Sequence, residues 1–254
     1  MTQWYFWGDK KISDVYENIY IRTFVEDWFK IVETIVCEFK GKRFLDVGCG
    51  EGHTTKQILD RINRGYVCDL LEPNAAALSS AKIFLSFENK IGSSYIDTLS
   101  SFKIDKEYDT VFTSHTNYYW SINEEDYDSQ LDKIWSLVRK GGKLMILTLP
   151  EASDHYNIML RQVYPKFNYS EYISNYYKEK GLMVKVIRFK MRMFVGDMLS
   201  NSNLYDIATF YKFIHNTSSS PSKNEALHFK QKIKKYQKKG YLDFKDELIL
   251  VFNS

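Results

Sequence analysis

Apolar residues recur in two rhythms along the chain, and the alternation between them lays out an α/β fold. Ile19, Phe24, Trp28, Ile31, Val32, Ile35, Val36 and Phe39 fall at three- and four-residue steps, which predicts a helix within residues 12–40. Gly41 follows as its C-cap, and Arg43–Val47 is a short, mostly apolar run of the kind that forms a buried parallel strand. Strands at Tyr66–Leu71, Ile91–Ile96 and Thr110–Ser114 then alternate with helices over Thr54–Ile62 and Ala75–Phe87. Glu124–Arg139 reads as helix with Leu131, Ile134, Trp135 and Val138 on one face; Gly141-Gly142 reads as the turn into a fifth strand, Lys143–Leu149, stopped by Pro150. Beyond Pro150 the alternation changes. Tyr169–Lys180 is a short helix, Met183–Val195 a long extended run, Asp197–Asn216 a helix, 217–222 a serine-rich loop, Ala226–Lys239 a basic helix and Glu247–Phe252 a final strand. Five β-α units followed by two strands with an insertion between them predict a Rossmann-like, doubly wound, seven-stranded and mostly parallel sheet, with an antiparallel last strand at one edge.

The chemistry concentrates where the first strand ends. Leu45–Gly52 reads L-D-V-G-C-G-E-G, an acid-bearing strand opening into Gly48, Gly50 and Gly52 at alternate positions. Such glycines accept positive φ and admit a ligand close to the backbone, and the next helix turns its free N–H groups toward the same crevice. A dinucleotide fingerprint would place its third glycine at position 53, which is His53 here, so the spacing is G-x-G-x-G rather than G-x-G-x-x-G. The second strand ends in Leu70-Leu71-Glu72-Pro73, and a carboxylate at that tip can accept hydrogen bonds from two ribose hydroxyls.

Together, L-D-V-G-C-G-E-G and L-L-E-P resemble the cofactor half of class I S-adenosylmethionine-dependent methyltransferases. Later segments are similar to histamine N-methyltransferase: Thr113–Trp120 after the fourth strand, Trp135–Gly142, Asn203–Phe210 and Phe244–Phe252. The resemblance implies a helical cap over residues 1–40 that serves the substrate and a methyltransferase core over 41–254, with an insertion at about 197–240. It implies S-adenosyl-L-methionine as cofactor, released as S-adenosyl-L-homocysteine. Asp46, Gly48, Cys49, Gly50, Gly52 and His53 would form the cofactor turn; Glu72 and Pro73 would meet the ribose; Asp97, Thr98 or Leu99 would flank the adenine; and Ser114 and His115 would lie beside the cofactor. Glu17 matches the family's amine-contacting glutamate, and Asp246 stands where the family has an asparagine. An acid there favours a more strongly cationic acceptor.

Methyl transfer from a sulfonium is an in-line displacement that needs alignment and dryness more than side-chain chemistry. An amine must first lose its proton, so Glu17, His115 and Asp246 are the candidate catalytic groups. Each has a plainer reading: Glu17 as a solvated helix residue, His115 as a hydrogen-bonded support, Asp246 as a strand-edge charge. Aromatic residues flank the core on both sides, and Tyr16, Tyr20, Asn117, Tyr118 and Tyr119 join Glu17 and Asp246 as candidate acceptor contacts.

Size and charge fit this reading. A chain of 254 residues with net charge +3 demands no polyanionic partner. Cys37, Cys49 and Cys68 lack disulfide or metal-ligand spacing, so no metal is expected and a reducing, cytoplasmic location is; no apolar run is long enough to span a bilayer. The expectation is a monomeric enzyme that methylates a small molecule, with an amine nitrogen as the favoured acceptor. The alternatives are an O-methyltransferase of a secondary metabolite, a nucleic-acid methyltransferase using the lysines at 230–239, and a protein that binds S-adenosylmethionine without transfer. The lysine helix carries Phe229, Ile233 and Tyr236 along one face, as a solvated amphipathic helix does.

Overall fold

The computed structural model describes residues 25–62, 65–86, 90–103, 105–120, 126–154, 157, 169–195, 207–208, 211, 221–236 and 240–253. Its elements run α1 (Val25–Glu38), β1 (Arg43–Val47), α2 (His53–Arg61), β2 (Val67–Leu71), α3 (Ala75–Leu85), β3 (Ile91–Tyr95), β4 (Tyr108–Ser114), α4 (Tyr127–Trp135), β5 (Val138–Thr148), α5 (Ser170–Glu179), β6 (Met183–Phe194), α6 (Lys223–Tyr236) and β7 (Tyr241–Phe252). The strands form one seven-stranded sheet in the order β3-β2-β1-β4-β5-β7-β6. β1 through β5 pair in parallel, and β7 runs antiparallel to β5 from Lys143↔Phe252 to Thr148↔Glu247.

The seven-stranded, mostly parallel sheet and its antiparallel last strand are as expected, but the last strand is not at the edge. β7 lies between β5 and β6. Leu248, Ile249, Leu250 and Val251 form an unbroken run of fully buried residues, the mark of a strand covered on both faces. β6 instead alternates, exposing Met183, Lys185, Arg188, Lys190 and Phe194, and its charged positions blunt the edge against further pairing.

The fourth helix is also shorter than its periodicity suggests. α4 stops at Trp135, and Val138, expected on its apolar face, opens β5 opposite Tyr108. Between Tyr108↔Val138 and Thr110↔Lys143 the register slips, so residues 139–142 bulge, with Gly141 at φ 77°. The two glycines therefore sit within a strand rather than ahead of it.

The chain divides into two compact units. One comprises Lys30–Thr148, Asn168–Arg188 and Glu247–Ser254. Its core joins Leu45, Val47 and Val111 of the sheet to Leu131 and Ile134 of α4 and to Ile173 and Tyr177 of α5. The end of α1 is tied in by Lys143, which is 1% exposed and donates to the Glu38 carbonyl (2.7 Å) and to Glu38 Oε2 (2.6 Å). Lys185 Nζ donates to the other carboxylate oxygen at 2.9 Å.

The second unit comprises Leu149–Phe167 and Phe189–Asp246 with the residues before Lys30. Here α6 buries Ala226, Phe229 and Ile233, exposes Lys223, Lys234 and Lys235 and half-buries Lys230 and Lys232, in line with the alternation in its sequence. It begins three residues earlier than expected because Ser222 and Glu225 form a capping box: Ser222 N donates to Glu225 Oε2 (2.7 Å) and Glu225 N to Ser222 Oγ (3.3 Å). Arg192 donates from both Nε (2.7 Å) and Nη2 (2.9 Å) to Asp27. The helix expected over 197–216 lies outside the described residues, apart from positions 207–208 and 211.

Candidate active site

The tips of β1, β2 and β4 adjoin one another in the first unit, and the glycine turn leaves the central one. Gly48, Gly50 and Gly52 all have positive φ, at 75°, 54° and 83°. Two of them differ in what surrounds them. A Cβ on Gly48 would collide with the Thr116 methyl, so the turn after β1 is packed directly against the segment after β4. At Gly50 a Cβ would meet nothing within 4 Å, and the space above that peptide is open to a ligand. The turn hangs from β2: Gly48 N and Cys49 N donate to the Leu71 carbonyl at 2.7 and 3.3 Å.

Glu72 extends β2 through its N–H, which donates to the Tyr95 carbonyl at 3.1 Å, and its carboxylate returns to the glycine turn. Oε2 accepts from Gly50 N and Oε1 from Asn74 N, both at 3.0 Å. Asn74 in turn caps α3, accepting from Ala76 N (2.9 Å) and Ala77 N (3.1 Å). Two backbone donors thus fix the orientation of a buried carboxylate, and each oxygen keeps acceptor capacity for a hydroxyl. Burial raises the Glu72 pKa, while those two N–H groups oppose the rise.

Asp46, on β1, is 2% exposed and accepts a hydrogen bond from Thr55 Oγ1 of α2. Burial pushes its pKa up to about 7; the Thr55 bond opposes this and the nearby Glu72 charge adds to it. The Cys49 thiol is raised as well, by burial first and then by these two acids.

After β4 the chain kinks. His115 has φ 54°, the one non-glycine residue at positive φ among the described residues, and its N–H donates to the Leu147 carbonyl at 2.9 Å. Thr116 follows, with its methyl against Gly48 and its hydroxyl paired with Thr113 Oγ1. A single helical turn, Asn117–Tyr119, completes the tip.

Residues 11–191 match the ubiE/COQ5 methyltransferase family. The chain belongs to that family. Among solved structures it is similar to the YcgJ protein of Bacillus subtilis, at 12% identity with a TM-score of 0.58, covering 91% of this chain and 99% of that one. It is also similar to an S-adenosylmethionine-dependent methyltransferase of Geobacter sulfurreducens in complex with S-adenosyl-L-homocysteine, at 13% identity and TM-score 0.54, covering 90% and 91%. A third is the N-methyltransferase NodS of Bradyrhizobium japonicum, likewise in complex with that product, at 11% identity and TM-score 0.52, covering 84% and 78%. No curated protein sequence matches the chain.

The protein is a methyltransferase that uses S-adenosylmethionine, and the residues present fit that cofactor. The open cradle over Gly50 suits its amino-acid end, the oriented Glu72 carboxylate suits a ribose diol, and the glycine turn admits both to the backbone. When bound, S-adenosylmethionine supplies a methyl group already activated on sulfur. The chain's own contribution is to hold donor and acceptor in line and dry.

The remaining expected site residues of this methyltransferase lie as follows. His53 opens α2 on an exposed position, with its ring 5.0 Å from Phe84 and Nε2 3.5 Å from Glu51. Leu99 turns into the core beside Phe102 and Tyr108, which leaves Asp97 and Thr98, joined by a 2.9 Å hydrogen bond, at the partly exposed end of β3. Asn117 is fully buried: Oδ1 accepts from Thr148 Oγ1 (2.8 Å) and Nδ2 donates to the Tyr127 hydroxyl (3.2 Å). Both ends of its amide are engaged by interior side chains. Trp120 is buried against Tyr127, with ring centroids 6.0 Å apart. Asp246 is completely buried in β7 within the second unit, and is not the exposed strand-edge charge its plainer reading suggested. Pro73, Ser114 and Tyr119 are half-buried at or beside the strand tips. Glu17, Tyr16, Tyr20, the aromatic run at 4–7 and the Tyr118 side chain lie outside the described residues.

Three contributors were not singled out from sequence. Thr55, Asn74 and Thr116 orient Asp46, Glu72 and the glycine turn. Asn74 carried a legible signal, an amide directly ahead of Ala75-Ala76-Ala77-Leu78 as an N-cap.

Proposed function

We propose that the methyl acceptor is a small molecule and that transfer goes to an amine nitrogen, in the manner of a histamine-methyltransferase-like branch working in the cytoplasm. The observation that supports this reading is His115 at the β4 tip. Its left-handed backbone immediately precedes Thr116, the residue packed on Gly48, so His115 is the chain neighbour of the residue that meets the glycine turn. A neutral imidazole can accept the proton that an ammonium must lose before its nitrogen attacks. Glu17 would hold the cationic acceptor from the N-terminal segment, and Asp246 is proposed as the second acid of the acceptor side. Ser114, with Asp97 and Thr98, would close around the adenosine, and aromatic residues including Tyr16, Tyr20, Tyr118 and Tyr119 would cover the acceptor.

The test is turnover. Purified protein with isotopically labelled S-adenosylmethionine is offered a panel of biogenic amines, phenols and carboxylates, and S-adenosyl-L-homocysteine release is followed. Release with amines is expected, with a raised acceptor KM and near-native cofactor affinity in Glu17→Gln and Asp246→Asn. Transfer to phenols alone, or unaltered acceptor kinetics in both variants, refutes the amine reading.

A further inference from the structure

The kink at His115 needs an explanation, because even for histidine, which tolerates positive φ better than most residues, this backbone is uncommon. An L-residue held at φ 54° is strained relative to ordinary backbone. Such a conformation persists only where the surroundings fix the chain on either side of it. On the near side, Ser114 is still paired with Leu147 of β5, and His115 N donates to the Leu147 carbonyl. On the far side, the first residue of the helical turn is Asn117, whose side chain is anchored twice in the interior. Thr148, the last residue of β5, donates to one end of the amide, and the Tyr127 hydroxyl, at the first residue of α4, accepts from the other.

We infer that Asn117 is the positioning residue of the cofactor pocket: clamped between Thr148 and Tyr127, it holds the His115 kink and thereby presses the β4 tip onto the glycine turn. The inference rests on the cofactor half of the proposed function and not on the acceptor. All three partners are buried, so the two bonds form away from water and leave costly unpaired groups when broken. Only Thr116 lies between the kink and the clamp, and the Thr116 methyl packed on Gly48 leaves no slack there. Releasing Asn117 frees the tip to relax toward ordinary φ and to lift from Gly48, which opens the pocket wall without removing any group that touches the cofactor.

Two exchanges at Thr148 separate this role from simple packing. Thr148→Val keeps the shape and deletes the hydroxyl; Thr148→Ser deletes a methyl and keeps the hydroxyl. Affinity for S-adenosyl-L-homocysteine, measured by calorimetry, is expected to fall about three- to tenfold in Thr148→Val, the loss of one buried hydrogen bond, and to stay within about twofold in Thr148→Ser. The backbone amide resonances of His115 and Thr116 should move in the valine variant and hold in the serine variant. Adding Thr148→Val to Asn117→Ala should cost no further affinity, since the partner is already gone. The opposite ranking, serine weaker than valine, identifies a packing role and overturns the inference, as do native affinity and native resonances in Thr148→Val. Failure of the unaltered protein to bind S-adenosyl-L-homocysteine overturns the cofactor reading instead.

Discussion

Replacing Gly48 by alanine should cost stability through two separable effects, and Gly50 provides the internal control. At Gly48 the backbone has φ 75°, which an L-residue adopts at a cost of roughly 1–2 kcal/mol. The new Cβ would also collide with the Thr116 methyl and lie 3.0 Å from Thr116 Cβ, an overpacking worth about 1–3 kcal/mol. The sum is about 2–5 kcal/mol, and for a chain of this size each kcal/mol moves Tm by ~2–4 °C, so a fall on the order of 10 °C is expected in scanning calorimetry. Gly50→Ala carries the backbone cost alone, because its Cβ meets nothing within 4 Å, and its Tm should fall by roughly half as much or less. The methyl it adds stands in the cradle, so Gly50→Ala should lose more cofactor affinity per degree of Tm than Gly48→Ala. Thr116→Ser removes the clashing methyl and retains the hydroxyl that pairs with Thr113; in the Gly48→Ala background it should recover the overpacking share and leave the backbone share. If Gly50→Ala destabilises as much as Gly48→Ala, or Thr116→Ser recovers nothing, the packing of the β4 tip on the glycine turn is not what excludes a side chain there.

Two other changes probe the acids. Glu72→Gln preserves shape but turns an amide NH2 toward Gly50 N or Asn74 N, both of which are donors; S-adenosyl-L-homocysteine affinity should fall roughly 30- to 100-fold by calorimetry, and a fall under threefold would dismiss Glu72 as the ribose ligand. Asp46 is raised to about 7 in the fold from an ordinary carboxylate value near 4, so the native state binds more protons than the unfolded chain between those limits, and stability declines as pH rises from ~4 to ~7 before levelling. Asp46→Asn, still able to accept from Thr55, should flatten that decline in chemical-denaturation midpoints taken across the interval; an unchanged slope would refute it.

Much of the first unit was legible because its signals are local. A strand ending in Asp46-Val47-Gly48 announces its own turn, and Glu72-Pro73-Asn74 announces where β2 must stop. What escaped depends on partners distant in sequence. Asn117 carries the same side chain whether it faces solvent or an interior hydroxyl, and its burial follows only from the arrival of Thr148 and Tyr127. Val138 fits a helical apolar face as well as a strand start, and its pairing with Tyr108 settles the matter through the sheet. The placement of β7 was within reach: an uninterrupted Leu248–Val251 run beside the charged alternation of 185–192 distinguishes an inner strand from an outer one. His115 gave no warning, since a left-handed histidine is imposed by its anchors and not by its neighbours in the chain.

The staple at the end of α1 limits how this sequence can drift. Lys143, Glu38 and Lys185 carry a net charge of +1 between them, and the first has almost no contact with solvent. Losing Glu38 alone would strand an ammonium in the interior, and losing Lys143 alone would leave the carboxylate with only its outer partner. Single steps away from this arrangement pass through a costly intermediate, so the positions should vary jointly across related chains. A relative with a neutral side chain at position 143 is expected to lack the acid at 38 too.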